Sequence, residues 1–342
     1  MPKFGFKWFS SNRTKGIKNI LIIGLSSVGD NLLISPGIRL IKDNCKRAAI
    51  DFVVGPRAAD FAKENPLFSN IYIWDKKTGI KTLIRMLEGK RYDLVVDFRN
   101  SLLPFFINAE YRLTFFLKEL FSKKFSTHEA ERTVRFLEPY FGRCKNIELY
   151  FPLYKNEIQQ YTEVFEKDGI FLDSDNFIVL NPGAAFEKKR WDKDRFAELG
   201  RQIISKYEVK LMIVGNKKEL GLAKEITAKI RSERALNLAG KISFRQLAFL
   251  LSRALLLITN DTGTMHLASA MKCPVIAIFG PGNPLRYGPI GTKSIVLHTD
   301  RKCFPCRLES RCKVGFICMN DVMVKDVISA VEKLLMHAKD LF

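Results

Sequence analysis

The chain has 342 residues, of which 47% are hydrophobic: enough for two domains that each bury a core, and too apolar for global disorder. No apolar run is long enough to span a bilayer, since the best one, 247–258, contains Arg253, and the basic, aromatic start (Phe4, Phe6, Trp8, Phe9) lacks the apolar core and cleavage site of a signal peptide. A net charge of +20 fits an anionic membrane surface or a solvated basic face; no nucleic-acid motif accompanies it, so no nucleic-acid partner is expected.

In chain order, 18–24 reads as a strand, followed by a helix from about 30 to 44, then strands at 49–54, 71–74 and 94–98. Strands alternating with helical patterns imply a mostly parallel sheet. Residues 105–140, rich in Phe, Leu, Lys and Arg, read as one or two inserted amphipathic helices. Residues 150–176 read as a connection. The rhythm then restarts: strand 177–180, helix 192–207, strand 210–214, helix 217–232, helix 243–252 with Ser243 as N-cap, and strands 254–259 and 274–279. A last amphipathic helix covers 322–337. The expected organisation is a basic aromatic tail (1–17), two Rossmann-like domains (18–165 and 166–321) and a C-terminal helix (322–342).

Two polar loops follow strands of this pattern. One is Ser26-Ser27-Val28-Gly29-Asp30, the other Asn260-Asp261-Thr262-Gly263-Thr264-Met265-His266. Ligands bind at the carboxyl ends of strands in open α/β sheets, and the first N–H groups of a helix have no internal partner. Thr262 and Gly263 let a diphosphate approach the backbone; Asp261 and His266 add side chains for a sugar hydroxyl or a phosphate. Asp30 reads equally as a helix cap or as a base.

Four segments resemble the heptosyltransferase family of glycosyltransferases: 20–30 (ILIIGLSSVGD), 181–196 (NPGAAFEKKRWDKDRF), 240–247 (GKISFRQL) and 260–288 (NDTGTMHLASAMKCPVIAIFGPGNPLRYG). The resemblance extends from about Lys18 to the last helix, with one departure, Gly24, where Arg is common. It implies an α/β protein of GT-B fold, two Rossmann-like domains facing a central cleft, 18–165 binding the acceptor and 166–321 the nucleotide sugar. It implies transfer of heptose from ADP-heptose to the Kdo or heptose of a lipid-A-linked core oligosaccharide, with inversion. The site would be cytoplasmic, peripheral on the inner face of the inner membrane. Asp30 is then the general base, and Lys189 meets the diphosphate with Arg190 as a helper. Glu219 holds ribose, Asp261 the donor sugar, and Thr262, Gly263 and His266 complete the donor site. An acidic acceptor sugar would need cations: Arg57, Arg99, Lys123, Lys124 and Arg132 are the candidates.

Neither cofactor nor metal is expected, because basic side chains and a helix start can serve the diphosphate. Asp173-Ser174-Asp175 and Asp192-Lys193-Asp194 spell a metal-nucleotide signature but read as turn and cap residues. Cys303, Cys306, Cys312 and Cys318 cluster, yet only the first pair has zinc-knuckle spacing, so metal, disulfide and thiol states stay open. Three alternatives remain: the same fold with another donor or acceptor, a non-catalytic nucleotide-sugar or anionic-lipid binding protein, and a nicotinamide dehydrogenase. The last expects Gly-x-Gly-x-x-Gly after the first strand, where this chain has Gly-Leu-Ser-Ser-Val-Gly-Asp.

Overall fold

The computed structural model describes residues 14, 16–114, 128–304, 306, 312, 315 and 317–336. The chain divides into two compact units, Met1–Tyr150 and Phe151–Phe342. This differs from the expected boundary at 165/166, and side-chain contacts explain it. The helix Lys155–Lys167 lies in the connection, but its Glu157 is held by Arg245 of the second unit (Nη2 to Oε2, 2.6 Å), and Phe151 packs edge-on against Phe244.

The first unit comprises β1 (Asn19–Ile23), α1 (Val28–Asn44), β2 (Ala49–Val54), α2 (Ala59–Ala62), β3 (Asn70–Ile73), α3 (Ile80–Met86), β4 (Tyr92–Asp97), β5 (Ala109–Thr114) and α4 (Glu129–Phe141). Its sheet is parallel, in the order β3-β2-β1-β4-β5. Strands buried on both faces explain the apolar runs of β1, β2 and β4, interrupted in β2 by the buried Asp51, which accepts from Asn70 Nδ2 and the Tyr92 hydroxyl. On one face α1 meets α4 closely at Gly37, where a Cβ would lie 2.6 Å from Thr133 Cγ2. On the other face Leu83 and Leu87 bury against Leu21, Ile23 and Val95. The expected helices of 105–140 are corrected in part. Ala109–Thr114 is a strand beside β4, with Tyr111 and Leu113 inward, an alternation with the period of a strand; Glu129–Phe141 is a helix.

The second unit holds α5 (Lys155–Lys167), β6 (Phe177–Asn181), α6 (Lys193–Lys206), β7 (Lys210–Ile213), α7 (Leu220–Ile230), β8 (Ala235–Asn237), α8 (Phe244–Arg253), β9 (Leu256–Asn260), α9 (Gly263–Ala270), β10 (Val275–Phe279), α10 (Pro284–Tyr287), β11 (Ser294–His298) and α11 (Val324–Met336). Its parallel sheet runs β11-β10-β9-β6-β7-β8. The outer strands β8 and β11 escaped the sequence reading, being short or half-exposed and without a full apolar signature. The C-terminal helix α11 is no separate element, because Val327 and Val331 bury in one core with Phe196, Ile203 and Ile226. Ser243 caps α8, as expected, and also forms a reciprocal capping box with Gln246. Among the described residues, no helix is long and apolar enough to cross a membrane.

Candidate active site

In the first unit, the loop after β1 is held by its own side chains. Asn31, fully buried, accepts from Leu25 N–H (2.9 Å) and donates to the carbonyls of Leu25 (3.0 Å) and Ser27 (2.7 Å). Ser27 caps α1: its Oγ accepts from Asp30 N–H (3.1 Å) and donates to Asp30 Oδ2 (2.6 Å). The Asp30 carboxylate is thereby fixed in the first turn of α1, half-buried, where the helix start favours negative charge. Gly24 leaves no room for a side chain, since a Cβ would lie 2.4 Å from the Phe52 ring and 2.6 Å from Asn31 Oδ1.

Arg99, after β4, reaches the same end of the sheet. Its Nε donates to Gly24 O (2.6 Å) and its guanidinium lies 5.3 Å from the Trp74 ring centre. Its Nη2 is buried without a hydrogen-bond partner, beside Gly55 and close to the Asp30 loop through Ser26. Burial works against the charge of Arg99, and Asp97 supports it. Asp97, a residue the sequence reading missed, accepts from Arg99 N–H (2.9 Å), Ser101 N–H (2.8 Å) and Ser101 Oγ (2.8 Å). Burial pushes its carboxyl up, against the opposing pull of those donors and of Arg99. A polar residue ending an apolar strand was the available signal. Arg57 is exposed just after Gly55, at the same edge. Arg132 instead sits on α4 and pairs with Glu129 at 2.8 Å. Lys123 and Lys124 lie outside the described residues, as does the basic aromatic tail.

In the second unit the site forms where the chain ends of β6 and β9 lie side by side. Asn181 Nδ2 donates to Thr259 Oγ1 (3.1 Å) and Thr262 Oγ1 (3.0 Å). Asn260, fully buried, donates to the carbonyls of Pro182 (2.9 Å) and Gly183 (3.2 Å) and accepts from Trp191 N–H (3.0 Å). One amide thus ties both ends of the loop 182–191 to β9. Trp191 anchors that loop further, buried against Phe196, with its indole N–H on Val322 O (2.9 Å). Within the loop, Lys189 Nζ meets Asp261 Oδ2 at 2.7 Å, with Asp261 only 8% exposed. Gly282 faces the same carboxylate, since a Cβ there would lie 2.4 Å from Asp261 Oδ2. Neither Asn260 nor Gly282 is assigned a role from the sequence, because their roles depend on residues elsewhere in the chain.

Thr262 is the N-cap of α9 but makes no side-chain cap bond; Met265 N–H turns back onto Thr262 O (3.1 Å), which leaves the N–H groups of Gly263 and Thr264 at the helix start. His266 is buried in that turn. Arg190 donates twice to Ala184 O (3.1 and 3.0 Å), which braces the loop. Glu219 is nearly buried; its Oε2 accepts from Asn216 N–H (2.9 Å), and Gly183 has no room for a Cβ because Glu219 Oε1 would be 2.1 Å away. It therefore braces the junction of the loops after β6 and β7. The two Asp-x-Asp sequences are engaged as turn and cap: Asp173 with Arg253 (3.0 Å), Asp175 with Lys210 (2.6 Å), and Asp192 on the N–H groups of Asp194 and Arg195. Cys303 is exposed and Cys306, Cys312 and Cys318 half-buried; among the described residues no three potential ligands gather for a metal.

The profile of glycosyltransferase family 9 (heptosyltransferase) matches residues 80–315, more than half of the chain. The chain belongs to glycosyltransferase family 9. This family member is 27% identical over 338 residues to lipopolysaccharide heptosyltransferase 3 of Escherichia coli, covering 90% of this chain and 95% of that one. It is 27% identical over 319 residues to lipooligosaccharide heptosyltransferase 2 of Campylobacter jejuni, covering 90% and 96%. Among solved structures, a family 9 glycosyltransferase of Veillonella parvula superposes with a TM-score of 0.77 at 24% identity, over 94% of this chain and 97% of that one. The E. coli ADP-heptose lps heptosyltransferase II gives 0.75 at 22%, over 94% and 99%. These likenesses agree with the GT-B fold expected for the family 9 chain, two parallel-sheet α/β domains.

Proposed function

We propose that this glycosyltransferase moves heptose from ADP-heptose to the Kdo or heptose of a lipid-A-linked core oligosaccharide, with inversion, at the cytoplasmic face of the inner membrane. The observation that carries this reading is the Lys189–Asp261 pair beside the open start of α9. A cation, a carboxylate and outward N–H groups are what a sugar diphosphate needs. On donor binding the diphosphate takes Lys189 from Asp261, and the freed carboxylate accepts from the sugar hydroxyls. His266 and Glu219 act from the flanks, Glu219 chiefly by bracing the loops. Arg99, with Arg57 exposed at the same edge of the sheet, provides positive charge for an acidic acceptor sugar.

In the reaction the acceptor hydroxyl attacks the anomeric carbon opposite the diphosphate. Asp30 takes the hydroxyl proton as the new bond forms. The bond to ADP breaks through an oxocarbenium-like state, and Lys189 and the α9 start receive the developing charge. Since these groups neutralise the diphosphate, transfer proceeds without a divalent cation. Full activity in chelator is therefore expected; loss of activity restored by magnesium or manganese would contradict this.

The deciding experiment supplies ADP-heptose and a Kdo-lipid A acceptor and follows ADP release and the glycosylated product by mass spectrometry. Heptosyl transfer with inverted anomeric configuration is the expected outcome. Donor binding with no transfer to any core acceptor would leave a nucleotide-sugar binding protein in its place.

A further inference from the structure

One flank of the first unit is amphipathic in a way its fold does not use. Leu83 and Leu87 of the α3 segment bury in the core, while Lys81, Ile84 and Arg85, three and four residues apart, share the outward face. Beside them Ile107 is buried but its neighbour Phe106 is 57% exposed; Ile84 is 41% exposed. These side chains and Lys90 border a pocket of about 490 Å³. Glu88 is the one acidic residue lining it. Among the described residues, none of the three cations is held in an ion pair.

We propose that this flank, α3 with the segment 103–108, docks on an anionic phospholipid bilayer. Three cations around a hollow large enough for a phosphate headgroup supply the charge complementarity, and their long stems let the charges reach the surface while the stems stay apolar. Phe106 and Ile84 enter the interface, where exposed apolar side chains gain from leaving water. Lys90 and Asn108 stand at the N-terminal ends of β4 and β5, and the Asp30 loop at the opposite end of the sheet. A strand of six residues spans about 20 Å. A bilayer at this edge therefore holds Asp30 near the sugars of a lipid-linked acceptor rather than at its headgroup. This rests on the reading that the acceptor is lipid-linked.

The test uses the full chain and vesicles of phosphatidylcholine, with or without about 30% phosphatidylglycerol, in co-sedimentation over a salt series. The wild type should bind the anionic vesicles more tightly and lose binding as salt rises. Lys81→Glu/Arg85→Glu/Lys90→Glu should weaken binding by about fivefold or more for each cation removed. An equal charge reversal at the exposed Lys224, Lys293 and Lys325, all in the second unit, should cost far less. Phe106→Ser/Ile84→Ser should weaken binding without changing the salt slope. All variants should keep the wild-type melting curve and the wild-type turnover of a deacylated, soluble acceptor. The proposal is overturned if the wild type ignores anionic vesicles, or if the Lys81, Arg85, Lys90 variant loses no more than the control reversal. Vesicle binding that follows this pattern with no heptosyl transfer would instead defeat the proposed reaction alone.

Discussion

Replacing Asp30 by Asn separates catalysis from folding. The substitution keeps the shape and a carbonyl oxygen that can accept from Ser27 Oγ, the partner now at 2.6 Å, so the loop should stay as it is. What is lost structurally is one negative charge in the first turn of α1. That costs about 0.3–1 kcal/mol, a fall of a few degrees at most in melting temperature. What is lost chemically, if Asp30 is the base, is the proton acceptor of the transition state. The rate should then fall by a factor of about 100 to 10,000, equivalent to about 3–5 kcal/mol of barrier. The chemical effect exceeds the structural one severalfold, and the two are read by different instruments. Turnover follows ADP release under saturating donor and acceptor; folding follows thermal melting; donor affinity follows calorimetry with ADP and should be unchanged. Near-wild-type turnover in a folded Asp30→Asn protein would refute the reasoning and leave Asp30 as a helix cap.

Lys189→Ala should differ in kind, lowering ADP affinity by about 10- to 100-fold along with turnover, because its charge meets phosphate in ground and transition states alike; unchanged ADP binding in calorimetry would remove Lys189 from the donor site. Asn260→Ala strands the carbonyls of Pro182 and Gly183 and the N–H of Trp191, and should destabilise the second unit by about 3 kcal/mol in urea titration. A loss below the resolution of that titration would show that the loop 182–191 does not depend on this amide. Stability should also fall in acid through Glu157. Burial raises its pKa, but Arg245, the Tyr154 N–H and Tyr161 hold it below the usual carboxylate range. A group depressed in the folded state stabilises above its unfolded pKa, about 4.3, and that contribution disappears as pH falls through the lower folded value. Melting temperatures from neutral pH downward should therefore converge for wild type and Glu157→Gln; a constant gap would show that the pair carries no such linkage.

The sequence by itself determined the local elements and the polar loops after strands on which the proposed site rests. Apolar runs such as those of β1 and β9 have the length of buried strands, and a cap such as Ser243 with Gln246 is written within four residues. The loops after those strands follow because helix starts leave N–H groups open. Weak signals were lost: β5, β8 and β11 are outer strands with half-exposed faces, and the pattern of 109–114 was absorbed into a helical reading of its surroundings. Which charges meet was decided only by the tertiary structure. Lys189 and Asp261 are 72 residues apart, Asn181 and Thr262 81, and Glu157 and Arg245 88. The first two pairings exist because β6 and β9 are neighbours in the sheet, the third because α5 folds onto α8. Periodicity is a property of a few consecutive residues; the order in which strands assemble depends on the summed burial of the whole domain, and no local stretch of chain records it.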